Sequence, residues 1–177
     1  MKLGEKGFTL VELVIVMSIT VLLSAASAIA LSQIFGGTDR NNNHLTAVRQ
    51  IESAGFWISR DAQRAQIVST DNLSLSDLLI LTWTEWDDEG VPTHYSVRYS
   101  FDNVTANIGR LKRNFWSSAG ANQQTLVGLN LYYNLDDSDN TSKASYQNPV
   151  LTVRLTAIID QAHETREYRI KRRPNVY

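Results

Sequence analysis

An unbroken run of apolar residues near the start of the chain is its most pronounced pattern. From Phe8 to Phe35 the only ionisable side chain is Glu12, and a short polar leader with Lys2 and Lys6 precedes the run. As a helix rising about 1.5 Å per residue, the run is roughly 40 Å long, enough to cross a hydrocarbon core of about 30 Å. The pattern predicts a membrane-crossing helix over residues 8–35.

The stretch after Phe35 is polar and rich in glycine and asparagine. Gly36 and Gly37 are followed by three asparagines at positions 41–43. Each glycine weakens a helix by about 1 kcal/mol relative to alanine, and asparagine favours caps and turns. We therefore expect a hinge or break at the membrane surface.

Apolar residues then recur at spacings of three and four, which is typical of a helix with one buried face. Polar residues such as Arg49, Glu52 and Arg64 lie off this stripe. The pattern predicts that residues 36–66 continue the helix, with an amphipathic segment over 43–66 that packs on a sheet. The predicted stripe consists of Leu45, Val48, Ile51, Gly55, Ile58, Ala62 and Ala65.

From residue 67 the period changes to two, and β-branched and aromatic residues alternate with polar ones between turn signals. The alternation predicts strands over residues 79–86, 93–101, 110–115, 127–135, 151–159 and 167–173. These strands predict that residues 67–177 form a β-rich globular head. Together with the preceding helix they predict an α+β fold, in which one long helix lies against an antiparallel sheet as a roll.

Composition narrows the possible functions. The 177 residues leave room for one membrane helix and one compact domain of about 140 residues. The net charge of −1 gives no general affinity for polyanions, and the absence of cysteine excludes disulfides, thiol nucleophiles and cysteine-ligated metals. Neither a Gly-x-Ser-x-Gly elbow nor a glycine-rich phosphate loop is present, so no enzyme is expected.

Glu12 is anomalous because a carboxylate inside an apolar helix costs about 2.5 to 3.5 kcal/mol and normally has a partner. Cleavage after Gly7 would create an α-amine on Phe8, four residues before Glu12. That amine could pair with Glu12 of the same molecule or, in a helical stack, with Glu12 of the next copy. The second arrangement would make the charge an assembly signal.

The sequence Gly7-Phe8-Thr9-Leu10-Val11-Glu12 resembles the class III signal of type IV pilins and pseudopilins. The resemblance covers about the first 35 residues, although Glu5 dilutes a leader that is usually basic. It implies that a prepilin peptidase removes residues 1–7 and N-methylates Phe8. It also implies that Glu12 guides subunits into a filament by meeting a neighbour's N-terminus.

The resemblance further implies a non-enzymatic subunit that is held in cytoplasmic membrane lipid, with its head outside the cytoplasm. An assembly platform then adds it to other subunits in an extracytoplasmic filament. The chain length, the stretch Ile58–Ala65 and the strand-rich remainder look most like J-type minor pseudopilins and their pilus counterparts. Minor subunits of that kind are thought to form the tip complex that starts a filament.

Other interpretations of the first 35 residues remain open. Ala26-Ser27-Ala28 and Ala28-Ile29-Ala30 fit a signal peptidase site, but the apolar run is longer than a usual signal core of roughly 7 to 15 residues. A plain membrane anchor leaves Glu12 unexplained. Either alternative would make the chain a tethered or secreted β-rich binding module that uses residues 1–35 only for export.

Two segments and three isolated histidines are weaker candidates for ligand binding. The loop with Asp136, Asp137 and Asp139 offers hard oxygens for calcium, but it lacks the glycine and final glutamate of a calcium hand, so a solvated turn between strands is preferred. The C-terminal segment over 161–177 is basic, as nucleic-acid binding would require, but exposed strand positions and edge protection also explain it. Its basic residues are Arg166, Arg169, Lys171, Arg172 and Arg173, and the histidines are His44, His94 and His163. No cofactor is expected, and nucleic acid is an unlikely partner.

Overall fold

The computed structural model describes residues 9–71 and 73–172. The chain divides into two compact units, residues 1–42 and residues 43–177. Helix α1 (Leu10–Arg64), the one helix among these described residues, has 55 residues and contributes to both units. In the first unit every described residue is exposed, whereas the buried residues of α1 begin at Ala47.

The chain does not break at residues 36–43, because α1 continues through both glycines and all three asparagines. The boundary between the two units nevertheless falls in this stretch, after residue 42. Once a helix has nucleated, each added residue gains a backbone hydrogen bond, so two glycines weaken a long helix without ending it. Helix α1 ends at Arg64, close to the predicted end at residue 66. The hydrogen bonds of its last turn include those from Ala65 N to Asp61 O and Ala62 O, at 3.1 and 3.3 Å.

Eight antiparallel strands follow the helix. They are β1 (Ile67–Ser69), β2 (Asp77–Trp86), β3 (Pro92–Thr105), β4 (Ile108–Ser117), β5 (Asn122–Tyr132), β6 (Lys143–Gln147), β7 (Val150–Ile159) and β8 (Ala162–Lys171). Their order in the sheet is β1-β2-β3-β4-β5-β7-β6, and β8 pairs with the other side of β7. The α+β prediction of one long helix on an antiparallel sheet is confirmed.

The predicted fourth strand, over residues 127–135, is displaced. Strand β5 begins five residues earlier at Asn122 and ends at Tyr132, so Leu135 lies in the following loop and is exposed. Asn130 adopts a φ of 54°, which interrupts the alternation that the sequence pattern assumed. The short strands β1 and β6 were not predicted.

The core of the second unit forms where one face of α1 meets the inward side chains of the sheet. Ile51, Gly55, Ile58 and Ala62 of the predicted stripe are buried, but Leu45 is exposed. The buried helical residues that the stripe did not include are Ala47, Ala54 and Asp61. The inward residues of β2, β3, β4 and β7 complete the core, among them Leu81, Val97, Tyr99, Leu111, Val153 and Leu155.

Candidate assembly site

The start of α1 contains the predicted processing and assembly residues. Gly7 and Phe8 lie outside the described residues. Thr9 caps the helix, because its Oγ1 accepts a hydrogen bond from Glu12 N at 3.3 Å and its carbonyl oxygen accepts one from Leu13 N at 3.2 Å. Glu12 is thus the third helical residue, where the helix dipole favours a negative charge.

Thr9 and Glu12 also have the spacing of a capping box, in which a Glu or Gln side chain at this position bonds back to the N-cap backbone. The structure shows the Thr9 half of this motif, the hydrogen bond from Glu12 N to Thr9 Oγ1, and the sequence analysis did not consider the spacing. Within the described residues the Glu12 carboxylate has no ion-pair partner. Its charge is therefore available to a group outside them.

The segment that follows is apolar and uncovered. By length and composition α1 is able to cross a membrane, with a mean hydropathy of 2.4 over its most apolar 18 residues, none of which is buried. Five hydroxyl groups along it donate to the carbonyl four residues earlier at 2.8 to 2.9 Å: those of Ser18, Thr20, Ser24, Ser27 and Thr38. Hydrogen bonds within the helix satisfy these hydroxyls without water, as a lipid or helix-packed environment requires.

The three aspartates of the β5–β6 loop do not converge on a common point that would suit calcium. Asp137 instead holds its own loop together, accepting hydrogen bonds from Asn140 N at 3.1 Å and from Tyr132 Oη at 3.2 Å. Hydrogen bonds from Asn140 lower the pKa of Asp137 below its usual value. Among the described residues no group of three or more His, Asp or Glu side chains is placed to hold a metal.

Two cationic side chains donate hydrogen bonds to backbone carbonyl oxygens of the same loop. Lys143 Nζ bonds to Ser138 O, and Arg154 Nη1 donates to Asp139 O at 2.6 Å. These are the kind of oxygens that a calcium ion would need. The geometry therefore gives the loop the character of a self-bonded turn between β5 and β6.

Two basic residues of β8 pair with carboxylates, Arg166 with one on α1 and Arg169 with one on its own strand. Arg166 Nη1 lies 2.7 Å from Glu52 Oε1 of α1, and Arg169 Nε lies 2.9 Å from Glu167 Oε1. Arg172 Nη1 bonds to the Gln66 carbonyl. Arg173 lies outside the described residues. Pairing with carboxylates leaves less positive charge for a nucleic acid, and the described part of the segment acts mainly as the outer strand of the sheet.

Among the described residues, none of the histidines belongs to a group of three or more side chains that could hold a metal. His44 Nδ1 lies 2.8 Å from Glu164 Oε1, and His94 Nδ1 lies 2.9 Å from Thr84 Oγ1. Both contacts link neighbouring elements of the second unit.

A buried polar cluster of Asp61, Tyr99 and Arg113 was missed by the sequence analysis. Asp61 Oδ2 accepts hydrogen bonds from Tyr99 Oη and from Arg113 Nε, each at 2.6 Å, and Asp61 Oδ1 accepts one from Arg113 Nη2 at 3.1 Å. All three residues are less than 5% exposed. The cluster connects the last turns of α1 to the inward faces of β3 and β4.

The environment of the cluster shifts two of its pKa values. Burial and the neighbouring Asp61 charge raise the pKa of the Tyr99 phenol, so it remains a hydrogen-bond donor. Burial alone would lower the pKa of Arg113, but the hydrogen bonds and charge of Asp61 outweigh it and raise that pKa. The ring of Trp57 lies beside this guanidinium, with its centroid 5.1 Å from Arg113 Cζ.

The sequence did contain a signal for this cluster. Asp61 follows Ile58 by three residues and so lies on the same face of the helix as the apolar stripe, although the predicted stripe did not include it. Arg113 alternates in phase with Leu111 and Phe115 on the inward side of β4. An acid and a base on two faces that meet predict a buried pair.

Comparison with known proteins gives a result only for the start of the chain. Residues 2–28 match the family model of the prokaryotic N-terminal methylation motif. No curated protein and no solved structure shows a significant match to the chain. The matched residues include the leader, the first turns of α1 and Glu12, so the match supports a pilin- or pseudopilin-type protein.

Proposed function

We propose that this chain, which carries the N-terminal methylation signal of type IV pilins and pseudopilins, is a minor filament subunit of a pilus-like or secretion machine. The observation that carries the proposal is the apolar first part of α1, exposed throughout as far as residue 42, with a carboxylate in its first turn. An exposed apolar surface of this length requires lipid or other helices to cover it. In this proposal the chain is structural and performs no catalysis.

The proposed mechanism begins in the cytoplasmic membrane. A prepilin peptidase cuts between Gly7 and Phe8 and methylates the new amine. The helix from Phe8 to Phe35 remains in lipid, with the head outside the cytoplasm. An assembly platform then moves the subunit into the filament, where neighbouring helices replace lipid around the apolar surface.

Glu12 provides the registration step. As the subunit enters the filament, the cationic amine on Phe8 of a neighbour neutralises the Glu12 carboxylate. The energetic cost of a carboxylate in an apolar environment is removed only where Glu12 lies beside the neighbour's amine. The charge therefore selects one axial position of the subunit relative to its neighbour. A place in the tip or initiation complex is part of the proposal, supported by the likeness of the strand-rich chain to J-type minor subunits.

The test separates the charge of Glu12 from its position in the first turn of the helix. Glutamine fits the capping box as glutamate does, but it carries no charge. Glu12→Gln should therefore preserve membrane insertion, while its incorporation into filaments from the native host falls at least tenfold. Quantitative immunoblotting of sheared filaments and of membranes measures the two pools. Thr9→Ser, which keeps the cap, is the matched control and should assemble normally.

Sequencing and intact mass of the mature protein complete the experiment. Filament and membrane forms should both begin at N-methylated Phe8 in the wild type and in Glu12→Gln. Normal incorporation of Glu12→Gln would refute the charge role. A mature chain beginning near Ile29 or Leu31 would mean that the helix is discarded, and it would favour an exported β-rich binding module instead.

A further inference from the structure

The sheet face turned away from α1 carries an open groove of about 750 Å³ across β3, β4 and β5. Tyr99 and Arg113 of these strands point to α1, so the alternate residues point away from it. Two rows of cross-strand neighbours line the groove. One row is Ser96, Trp116 and Asn122, and the other is Arg98, Asn114 and Gln124.

Amide side chains in the groove are held in fixed orientations. Gln124 Nε2 donates to Asn114 Oδ1 at 2.8 Å, and Asn114 Nδ2 donates to Ser100 Oγ at 3.3 Å. Each amide retains further donor and acceptor capacity, because a primary amide has two N–H groups and two carbonyl lone pairs. The row therefore presents both donors and acceptors to a ligand with little loss of side-chain entropy.

Arg98 gives the groove a positive charge. Its side chain is 54% exposed, and Nη1 lies 3.8 Å from Asp77 Oδ2, beyond hydrogen-bond distance. Within the part of the chain that the structure describes, its guanidinium makes no hydrogen bond. By contrast, Lys112 farther along the same face is bound to Asp102 at 2.5 Å. Arg98 therefore forms a loose ion pair with the buried Asp77 carboxylate, and its exposed planar fork of donors faces the groove, where it can hold a second carboxylate.

Trp116 supplies a flat apolar surface beside these polar groups. It is 48% exposed, whereas Trp83 on the opposite face is buried against Tyr95. An exposed indole next to oriented amides is suited to a ring that is apolar on its face and polar around its edge. A pyranose ring has this character, since its C–H groups form the face and its hydroxyls, each both donor and acceptor, form the edge.

We propose that this groove binds a segment of an acidic polysaccharide, with one sugar ring stacked on Trp116 and a uronate carboxylate held by Arg98. Asn114, Asn122 and Gln124 bond to the sugar hydroxyls. The groove is open along the sheet, which suits an internal segment of a polymer. This inference does not depend on the filament proposal, because it concerns only the second unit.

Two other classes of ligand fit the groove less well. A nucleic acid gains its affinity from several phosphate contacts, and Arg98 is the only cation among the groove residues. A peptide that adds a strand needs a free sheet edge, and β3 and β4 lie inside the sheet. Strand β5 pairs with β7 at Leu131, so its outer edge is open near Asn122, but a peptide added there would extend the sheet beside the groove and leave the groove face uncovered. A sugar requires neither several cations nor an edge.

The experiment measures binding to the detergent-solubilised full-length chain by saturation-transfer NMR, with trigalacturonate as the probe. The wild type should bind it saturably, and maltotriose, which lacks carboxylates, should bind more weakly. Trp116→Ala and Arg98→Gln should each weaken trigalacturonate binding about tenfold, as loss of one stacking or charge-assisted contact predicts. Arg98→Gln should leave the weaker maltotriose binding unchanged.

Matched controls separate the groove from general effects. Trp86→Ala removes another exposed indole, and Arg49→Gln removes another exposed guanidinium, both outside the groove. Neither should alter trigalacturonate binding, and all four variants should unfold at the wild-type temperature. The proposal is overturned by absence of saturable binding, by equal binding in Trp116→Ala, or by tighter binding of a decathymidylate oligonucleotide with the same dependence on Arg98.

Discussion

Asp61 is the residue at which replacing a carboxylate by an amide should reduce the stability of the second unit most. Its carboxylate neutralises the buried Arg113 guanidinium through two hydrogen bonds. Asp61→Asn leaves that cation buried without a counter-charge, and we expect the free energy of unfolding to fall by about 3 to 5 kcal/mol. Urea unfolding of the solubilised chain, followed by tryptophan fluorescence, measures the loss.

The surface pair of Asp102 and Arg110 is a close control for this prediction. Arg110 donates two hydrogen bonds to Asp102, both at 3.2 Å, but both side chains are partly exposed. Asp102→Asn should therefore cost far less than Asp61→Asn, because water replaces the lost partner. Combining Asp61→Asn with Arg113→Met should recover stability relative to Asp61→Asn alone. Equal losses for the two single variants would show that burial does not determine the effect.

At the scale of elements, Gly55 determines how closely β8 approaches α1. A Cβ atom at position 55 would overlap the ring of Tyr168, with Cε1 only 2.6 Å away. The same ring directs its hydroxyl to Ile51 O at 3.2 Å. Gly55→Ala should therefore lower the free energy of unfolding by about 1 to 3 kcal/mol through overpacking, despite the better helix propensity of alanine.

Gly36→Ala is the matched control for this helix substitution. No atom lies within 4 Å of a Cβ at position 36, so only the gain in helix propensity remains. Thermal unfolding should show a lower midpoint for Gly55→Ala and an equal or higher one for Gly36→Ala. Equal midpoints for both variants would mean that Tyr168 moves aside without cost.

Sequence patterns predicted best the helices and strands whose boundaries depend on neighbouring residues in the chain. Strands β2, β3 and β7 alternate over ten or more residues with one buried face, and the period alone located them. Strand β1 has three residues, too few for a period to appear. The alternation of β5 is interrupted at Asn130, whose φ is 54°, and the course of α1 through Gly36 depends on helix cooperativity.

The candidate sites show the same limit. Glu12 was identifiable because an isolated charge in an apolar run is anomalous by itself. Its position next to the Thr9 cap also followed from spacing, although only the structure drew attention to it. Asp61 and Arg113 become a pair only when α1 meets β4, 52 residues later in the chain, so their contact depends on the tertiary fold.

At the scale of the whole molecule, the two units differ in how their apolar surface is covered. The first unit exposes all of its described apolar side chains, whereas the second unit contains the entire buried core, which begins at Ala47. A subunit that passes from lipid to filament needs this separation, since one unit exchanges its surroundings while the other keeps its fold. The division at residue 43 therefore predicts which part of the chain is stable alone.

A chain that begins at residue 43 should fold as a soluble domain and unfold in a single cooperative transition. It retains every buried residue of α1, so its core remains closed. A chain that begins at residue 66 loses that helix and should aggregate or remain unfolded, because Leu81, Val97 and Leu111 would face water. Size-exclusion chromatography and near-ultraviolet circular dichroism distinguish the outcomes. If the longer fragment is also unfolded, the first unit contributes to the stability of the head and is more than an anchor.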